Sequence, residues 1–273
     1  MDAIIAAVNG TCPTERRPRV RHPWLCALPE GKLPPVAVCA GRRYDLVETF
    51  KHDFFAATGL YRGPAGLAVL KLNRTNGFWG LPMRWVGRLL ARREIRLYQA
   101  AAGLRGVPAL IGPVGQTGLM HAFVPGHPLG RREQVSDTFF DELLALIRGL
   151  HQRHIAYVDL NKRDNILVGD DGRPHLIDFQ ISLRLPPTGW RRLAPVRWLL
   201  RLFQRGDYYH CLKHKRRLRP DLLTTEERQA VLRVSVWIRL HRWITRPLTE
   251  LRRRTLRRLQ AGRSVPAAGS SDQ

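Results

Sequence analysis

The sequence predicts an α+β fold in two parts: a small sheet-rich part followed by a mainly helical one. Three observations predict it. Short β-prone runs separated by turn residues fill residues 45–72. A helical stretch opened by Pro82 follows, and two more short runs lead to Pro125-Gly126. Beyond that point helical periodicity dominates, interrupted by one strand-hairpin pattern between residues 155 and 181.

The elements follow in order. Residues 1–40, rich in Pro, Arg and small residues, read as a loosely ordered lead-in containing Pro34-Pro35. Asp45 to Phe50, Asp53 to Tyr61 and Leu67 to Leu72 read as three antiparallel strands, the last two joined by the turn Arg62-Gly63-Pro64-Ala65-Gly66. Pro82 to Ala102 reads as a helix stopped by Gly103, with the acid Glu94 inside it. Ala109 to Val114 and Leu119 to Val124 complete a first domain over 41–126. A second domain covers 127–262. It opens with a core helix over 133–153, followed by strands at 155–160, 165–168 and 175–181 and a basic helical remainder. Residues 263–273 read as a disordered tail.

At 273 residues and 44% hydrophobic, the chain is long enough and apolar enough to bury a core. Its formal net charge of +24 attracts polyanions: nucleic acid, anionic lipid or phosphorylated glycans. Only six of the 46 basic residues are lysine, so part of the arginine excess reflects base composition rather than a ligand. Cys12, Cys26, Cys39 and Cys211 form no C-x-x-C pair, which argues against a zinc site or a disulfide framework and fits a reducing cytosol. The start of the chain lacks the pattern of a secretory signal, and no apolar run is long enough to span a bilayer.

The segment His151 to Leu183, HQRHIAYVDLNKRDNILVGDDGRPHLIDFQISL, carries the chemistry. Phosphoryl transfer from ATP needs a carboxylate at the acceptor hydroxyl and oxygen ligands that hold Mg²⁺ against the phosphates. Asp159 follows an apolar stretch, Asn165 introduces Ile166-Leu167-Val168, and Asp178 follows a hairpin. The 13 residues from Asn165 to Asp178 are a separation that a short hairpin bridges.

This segment resembles the catalytic core of the protein-kinase-like superfamily, above all its bacterial lipopolysaccharide core (Kdo/heptose) kinase branch. RIO-type kinases and aminoglycoside phosphotransferases are more distant relatives. The resemblance covers residues 45–183 and implies a bilobal protein-kinase-like fold, with a sheet-plus-helix N-lobe and a mainly helical C-lobe. It implies ATP and Mg²⁺ as cofactors, Asp159 as catalytic base or acceptor-positioning carboxylate, and Asn165 and Asp178 as metal ligands. Lys71, ending the run Gly66-Leu67-Ala68-Val69-Leu70-Lys71, matches the lysine that pairs the α and β phosphates, with Glu94 as its ion-pair partner. The run His121-Ala122-Phe123-Val124-Pro125-Gly126 resembles the hinge that receives adenine, and Lys51 is a further candidate for phosphate contact.

Four features depart from the pattern. Asp159 to Asn165 is one residue longer than usual, leaving Asn161 or Asp164 to share the metal role. Tyr157 stands where the family carries His two places before the base. Gln180 replaces the glycine of the metal motif, which implies a constitutively assembled site. The stretch Thr49 to Phe54 holds no glycine where a phosphate loop belongs, so a pseudokinase scaffold stands beside the enzyme reading.

His151 and His154 read as helix-end residues favourable to the dipole. Phe78 to Arg93, Trp190 to Arg205 and Val231 to Leu259 combine Trp, Leu and Arg, either as helices at a membrane surface or as ordinary core with a solvated basic face. Asp207 to Arg217 reads as a cationic contact for an anionic acceptor, or as a solvated charge run. The expected activity is therefore a cytoplasmic kinase, peripheral at the inner membrane face, acting on a hydroxyl of a lipopolysaccharide core sugar. A RIO-like serine/threonine protein kinase or ATPase in contact with RNA is the alternative.

Overall fold

Runs of β-formers broken by turns fold residues 36–73 into an antiparallel meander in the computed structural model, which describes residues 26–77 and 82–232. The strands are β1 (Val36–Cys39), β2 (Arg42–His52), β3 (Ala56–Gly63) and β4 (Gly66–Asn73). The β3–β4 turn closes on the pair Gly63 and Gly66, the latter at φ +100°, a conformation glycine adopts without Cβ strain. After the helix α1 (Arg84–Ala101), β5 (Leu110–Val114) and β6 (Gly118–Ala122) complete an antiparallel sheet of order β1-β2-β3-β4-β6-β5. The sheet curls until its edge strands meet: the Cys39 thiol approaches the Pro113 carbonyl at 3.7 Å. Tyr44, Tyr61, Ala68, Leu70 and Met120 fill the inside of the curl.

α1 packs against β4, β5 and β6 through Gly87, Ala91, Glu94, Tyr98 and Ala101. These residues are spaced three and four apart and so form one face. Glu94 is thereby carried into the interior by the helical period itself. Gly87 permits the close approach, since a Cβ there would lie 2.1 Å from the Arg74 carbonyl oxygen.

The chain divides into two compact units, Met1–Gly126 with His175–Ile181, and His127–Pro174 with Ser182–Gln273. β7 (Gly126–Pro128) leads into the second unit. There α2 (Phe139–Gln152) buries Phe139, Phe140, Leu143, Leu146, Ile147 and Leu150. β8 (Ile155–Ala156) and β9 (Ile166–Gly169) follow, and the chain re-enters the first unit within β10 (Pro174–Leu176). β11 (Leu183–Arg184) pairs antiparallel with β8, and the long helix α3 (Ala194–Leu218) packs on α2 and β8. α4 (Thr225–Leu232) starts with a capping box: Thr224 Oγ1 accepts from Glu227 N–H, and Glu227 accepts from Thr224 N–H, both at 3.1 Å.

The expected α+β class is observed, with local differences. Residues 26–40, expected to be loosely ordered, include β1 and the buried Ala27, Leu28 and Leu33, because Val36, Ala37 and Cys39 supply enough apolar surface to close the sheet. The helix expected from 133 begins at Phe139. Upstream of it, Glu133 spends its carboxylate on the Gly130 N–H at 3.1 Å in a local turn. The strands expected over 155–160 and 175–181 stop at Ala156 and Leu176, ahead of Val158 at φ +70° and Asp178 at φ +60°, which no strand accommodates. The expected tail over 263–273, the stretch Val231 to Leu259 beyond Leu232, and residues 1–25 of the lead-in lie outside the described residues.

Gly87→Ala should lower the thermal unfolding midpoint, at a cost of about 1–3 kcal/mol from overpacking, against the roughly 1 kcal/mol that alanine gains in an unstrained helix. Calorimetry that returned an unchanged or raised midpoint would contradict the close approach of α1 to Arg74.

Candidate active site

The first cluster of functional side chains is built entirely within the first unit. Lys71 stands on the central strand β4, in register with Thr58 on β3 and Leu119 on β6. Its Nζ donates to Glu94 Oε1 at 2.9 Å and to Asp178 Oδ1 at 2.7 Å. Asp178 reaches it because its backbone is left-handed, a conformation that Asp tolerates better than most residues. Behind the trio, Tyr98 packs edge-on against the buried Phe179, with centroids 4.9 Å apart, and stacks on His121 at 5.4 Å. The Tyr98 hydroxyl also bonds the Asp178 backbone.

One ammonium faces two carboxylates, one enclosed and one partly exposed. Burial opposes the Lys71 ammonium, but Glu94 and Asp178 outweigh it and hold its pKa above the ordinary lysine value. Burial raises the pKa of Glu94, and Lys71 only partly offsets this. Burial, Glu94 and Asp178 together push Tyr98 far above the usual phenol. Lys71, Glu94 and Tyr98 therefore each hold their proton more tightly than they would in water. Glu94 is fully enclosed, whereas the Asp178 side chain is 38% exposed and can share its carboxylate with a cation. Mg²⁺ takes hard oxygen ligands and uses one or two carboxylates plus substrate phosphates, so this donor set fits a nucleotide-bound Mg²⁺. Among the described residues, no group of three or more His, Cys, Asp or Glu side chains could hold a metal by itself.

The second cluster lies in the second unit. Asp159 Oδ2 accepts from Asn165 Nδ2 at 3.0 Å and forms an ion pair with Lys162. The bond from Asn165 uses its amide nitrogen and leaves the amide oxygen, the atom able to ligate a cation, outside it. The extra residue between them is absorbed by two turns: Lys162 N–H to Asp159 O at 3.1 Å, then a 3-10 turn over Arg163–Asn165. Asn165 is buried, Asp164 is exposed, and the Asn161 side chain accepts from Lys213 at 2.8 Å.

Asp207, buried midway along α3, organises this loop. Its two carboxylate oxygens accept the Tyr157 and Val158 N–H groups, each at 2.7 Å, and Oδ2 also meets His151 Nε2 at 3.1 Å. A β-branched residue at φ +70° is strained, and the charge-assisted bond to Val158 helps hold it there. Ser182 Oγ donates to Tyr157 O at 2.9 Å. Tyr157, in the place of the usual histidine, is fully buried, and its own N–H and C=O take part in this network.

The remaining expected residues are placed as follows. Lys51 lies in the row Lys51, Thr58, Lys71 across three strands, two strand spacings or about 10 Å from Lys71. It is 70% exposed at the side chain and ion-paired with Asp53 at 2.8 Å. His121 is buried behind Tyr98 with Nδ1 against Ala122 O at 2.9 Å, so its ring belongs to the packing of the first cluster. Burial, further helped by Lys71, depresses its pKa to about 4. Phe123 donates its N–H to Leu67 O at 3.2 Å. His151 serves Asp207 rather than a helix dipole alone, and His154 sits past the helix end at φ +58°.

Asp207 to Arg217, expected as an acceptor contact, is mostly spent on packing. Cys211 and Leu212 are buried, Lys215 pairs with Glu227 at 3.0 Å, and His214 bonds Leu160 O at 2.9 Å. The organising role of Asp207 was not read from the sequence. The available signal was a single acid in an otherwise acid-free stretch from Phe179 to Pro220.

No protein-family model matches the chain, and no curated protein matches it. Among solved structures, the chain is similar to the Rio2 kinase–ADP/Mg²⁺–phosphoaspartate complex from Chaetomium thermophilum. Identity is 17% and the TM-score 0.48, over 68% of this chain and 61% of that one, so the chain spans less than two thirds of that protein's length. It is also similar to vaccinia related kinase 3, with 15% identity and a TM-score of 0.47, over 72% of this chain and 73% of that one.

Asp207→Asn turns one acceptor into a donor facing backbone N–H groups. It should lower stability by at least about 2 kcal/mol in urea titrations, and an unchanged midpoint would remove its organising role. His121 has a folded pKa near 4 against about 6.5 unfolded, so the unfolded chain binds more protons between these values and stability falls as pH drops. Acidification from about pH 7 to about pH 5 should cost roughly 2 kcal/mol through this residue. His121→Phe should flatten that part of the pH profile, and an unaltered slope would contradict the burial of a neutral imidazole.

Proposed function

We propose that this chain is an ATP-dependent phosphotransferase that moves the γ-phosphate of ATP to an alcohol. The observation that carries the reading is the buried Lys71 bracketed by the enclosed Glu94 and the partly exposed Asp178. A charged group so placed costs desolvation energy, and hydrophobic packing alone would be cheaper. Such a cluster is retained where it binds something charged.

In this reading Lys71 donates to the α and β phosphates while Glu94 fixes its ammonium. Asp178 and the amide oxygen of Asn165 would be the protein ligands to Mg²⁺, and the ion with its ATP would supply the electrophilic phosphorus and charge neutralisation. Asp159 keeps one oxygen on Asn165 and Lys162 and turns the other to the acceptor hydroxyl, positioning it and taking its proton. Lys51, in the row of Lys71, extends the phosphate contact once it releases Asp53. A lipopolysaccharide core sugar at the inner membrane face is the acceptor we favour, on the resemblance of residues 45–183.

One observation favours a second reading, a nucleotide-binding scaffold without turnover. In the glycine-free turn after β2, the amides of Phe55 and Ala56 donate to Asp53 Oδ1 at 2.8 and 2.9 Å and are not free for phosphate.

Purified protein with Mg-ATP and a lipopolysaccharide core oligosaccharide tests both readings. Wild type should transfer phosphate, and Asp178→Ala and Asp159→Asn should each lower turnover about a hundredfold or more. Equal turnover in wild type and Asp178→Ala would overturn the assignment. Nucleotide-induced thermal stabilisation without product would favour the scaffold.

A further inference from the structure

We infer that the segment from Trp190 through the first four turns of α3 is a docking surface for an anionic lipid bilayer, with a lipid phosphate seated among His151, Arg201, Gln204, Arg205 and Tyr208. These five residues line an open pocket of about 330 Å³. Its back wall is fixed: Gln204 Nε2 donates to His151 O at 3.3 Å, and His151 is held by Asp207. Among the described residues, Arg197, Arg201 and Arg205 have no ion-pair or hydrogen-bond partner, in contrast to Lys71, Lys162 and Lys215. Two unpaired guanidinium groups facing one cavity form a geometry suited to phosphate.

The apolar side of the same surface identifies the source of that phosphate. Trp190 is 64% exposed, Leu193 57% and Trp198 56%, and Leu199 is exposed as well. Four large apolar side chains within ten residues on the outside of a soluble unit mark a contact surface. Trp198, Arg201, Arg205 and Tyr208 follow one another at helical spacing, so aromatic and basic groups alternate along one face. From Phe179 to Gly206 the chain contains six arginines and no acid. Trp and Leu at headgroup depth, with Arg reaching the phosphates, are what an anionic interface accommodates. Nucleic acid would satisfy the arginines and leave Leu193 and Leu199 in water. The pocket gives the peripheral location proposed above a surface, and its test needs no nucleotide, so failure of docking and failure of phosphotransfer are separate results.

Co-sedimentation of the full chain with phosphatidylcholine vesicles, with and without phosphatidylglycerol, at physiological salt tests the proposal. The chain should bind only the phosphatidylglycerol vesicles. Arg201→Gln with Arg205→Gln should weaken binding about 30-fold, and Trp190→Ala with Leu193→Ala about tenfold. The charge-matched control Arg131→Gln with Arg132→Gln should retain most of the binding, since those residues lie away from the pocket. Equal losses in both arginine pairs would reduce the effect to net charge and overturn the site. So would absence of vesicle binding, or tighter binding to single-stranded RNA that the Arg201 and Arg205 substitutions abolish.

Discussion

A buried ammonium held between two carboxylates is the constraint on which the first unit is organised. Lys71 lies in the interior on two carboxylates, Glu94 and Asp178, and Glu94 on Lys71. Removing Lys71 strands a buried carboxylate, a change that typically costs about 3–5 kcal/mol. The pair fixes where α1 lies against β4, and the glycine at position 87 permits that distance. Asp178 joins by adopting a left-handed backbone, and Phe179, Tyr98 and His121 seal the back of the cluster. The Glu94 carboxylate is enclosed, whereas the Asp178 carboxylate stays partly exposed.

The second unit uses a carboxylate differently. Among the described residues, Asp207 pairs with no lysine or arginine. Its oxygens take up backbone N–H groups of Tyr157 and Val158 and hold the latter in a conformation a β-branched residue avoids. The strain is stored one residue before Asp159, so the carboxylate expected to face the acceptor is positioned by an acid 48 residues further along the chain. In both units, short charge-assisted bonds define side-chain positions that strand and helix geometry alone would leave loose.

The large positive charge divides into two populations with different physics. Five of the six lysines are committed to specific partners: Lys51 to Asp53, Lys71 to Glu94 and Asp178, Lys162 to Asp159, Lys213 to Asn161, and Lys215 to Glu227. An ammonium on a flexible stem reaches such partners in a packed interior. The arginines supply most of the charge excess. Those at the start of α3 face outward beside exposed tryptophan and leucine, where a planar, weakly hydrated cation and an apolar surface suit the same interface.

The strands and helices that rest on local pattern were legible in the residues: the apolar run ending at Lys71, the helix that carries Glu94, and the buried stripe of α2. Asp159, Asn165 and Asp178 were singled out by residue type and spacing, and the structure sets Asp159 against Asn165 and Asp178 against Lys71. Tertiary structure alone decided the rest. Positive φ at Val158 and Asp178 ended two expected strands, because long-range hydrogen bonds and ion pairs outweigh the local preference of an apolar run for extended backbone. The same long-range pairing turned Asp207 and Lys215 from surface charges into interior ones. Periodicity reports which face a residue occupies. Which partner waits across that face is set by a chain segment tens of residues away, and no local pattern contains it.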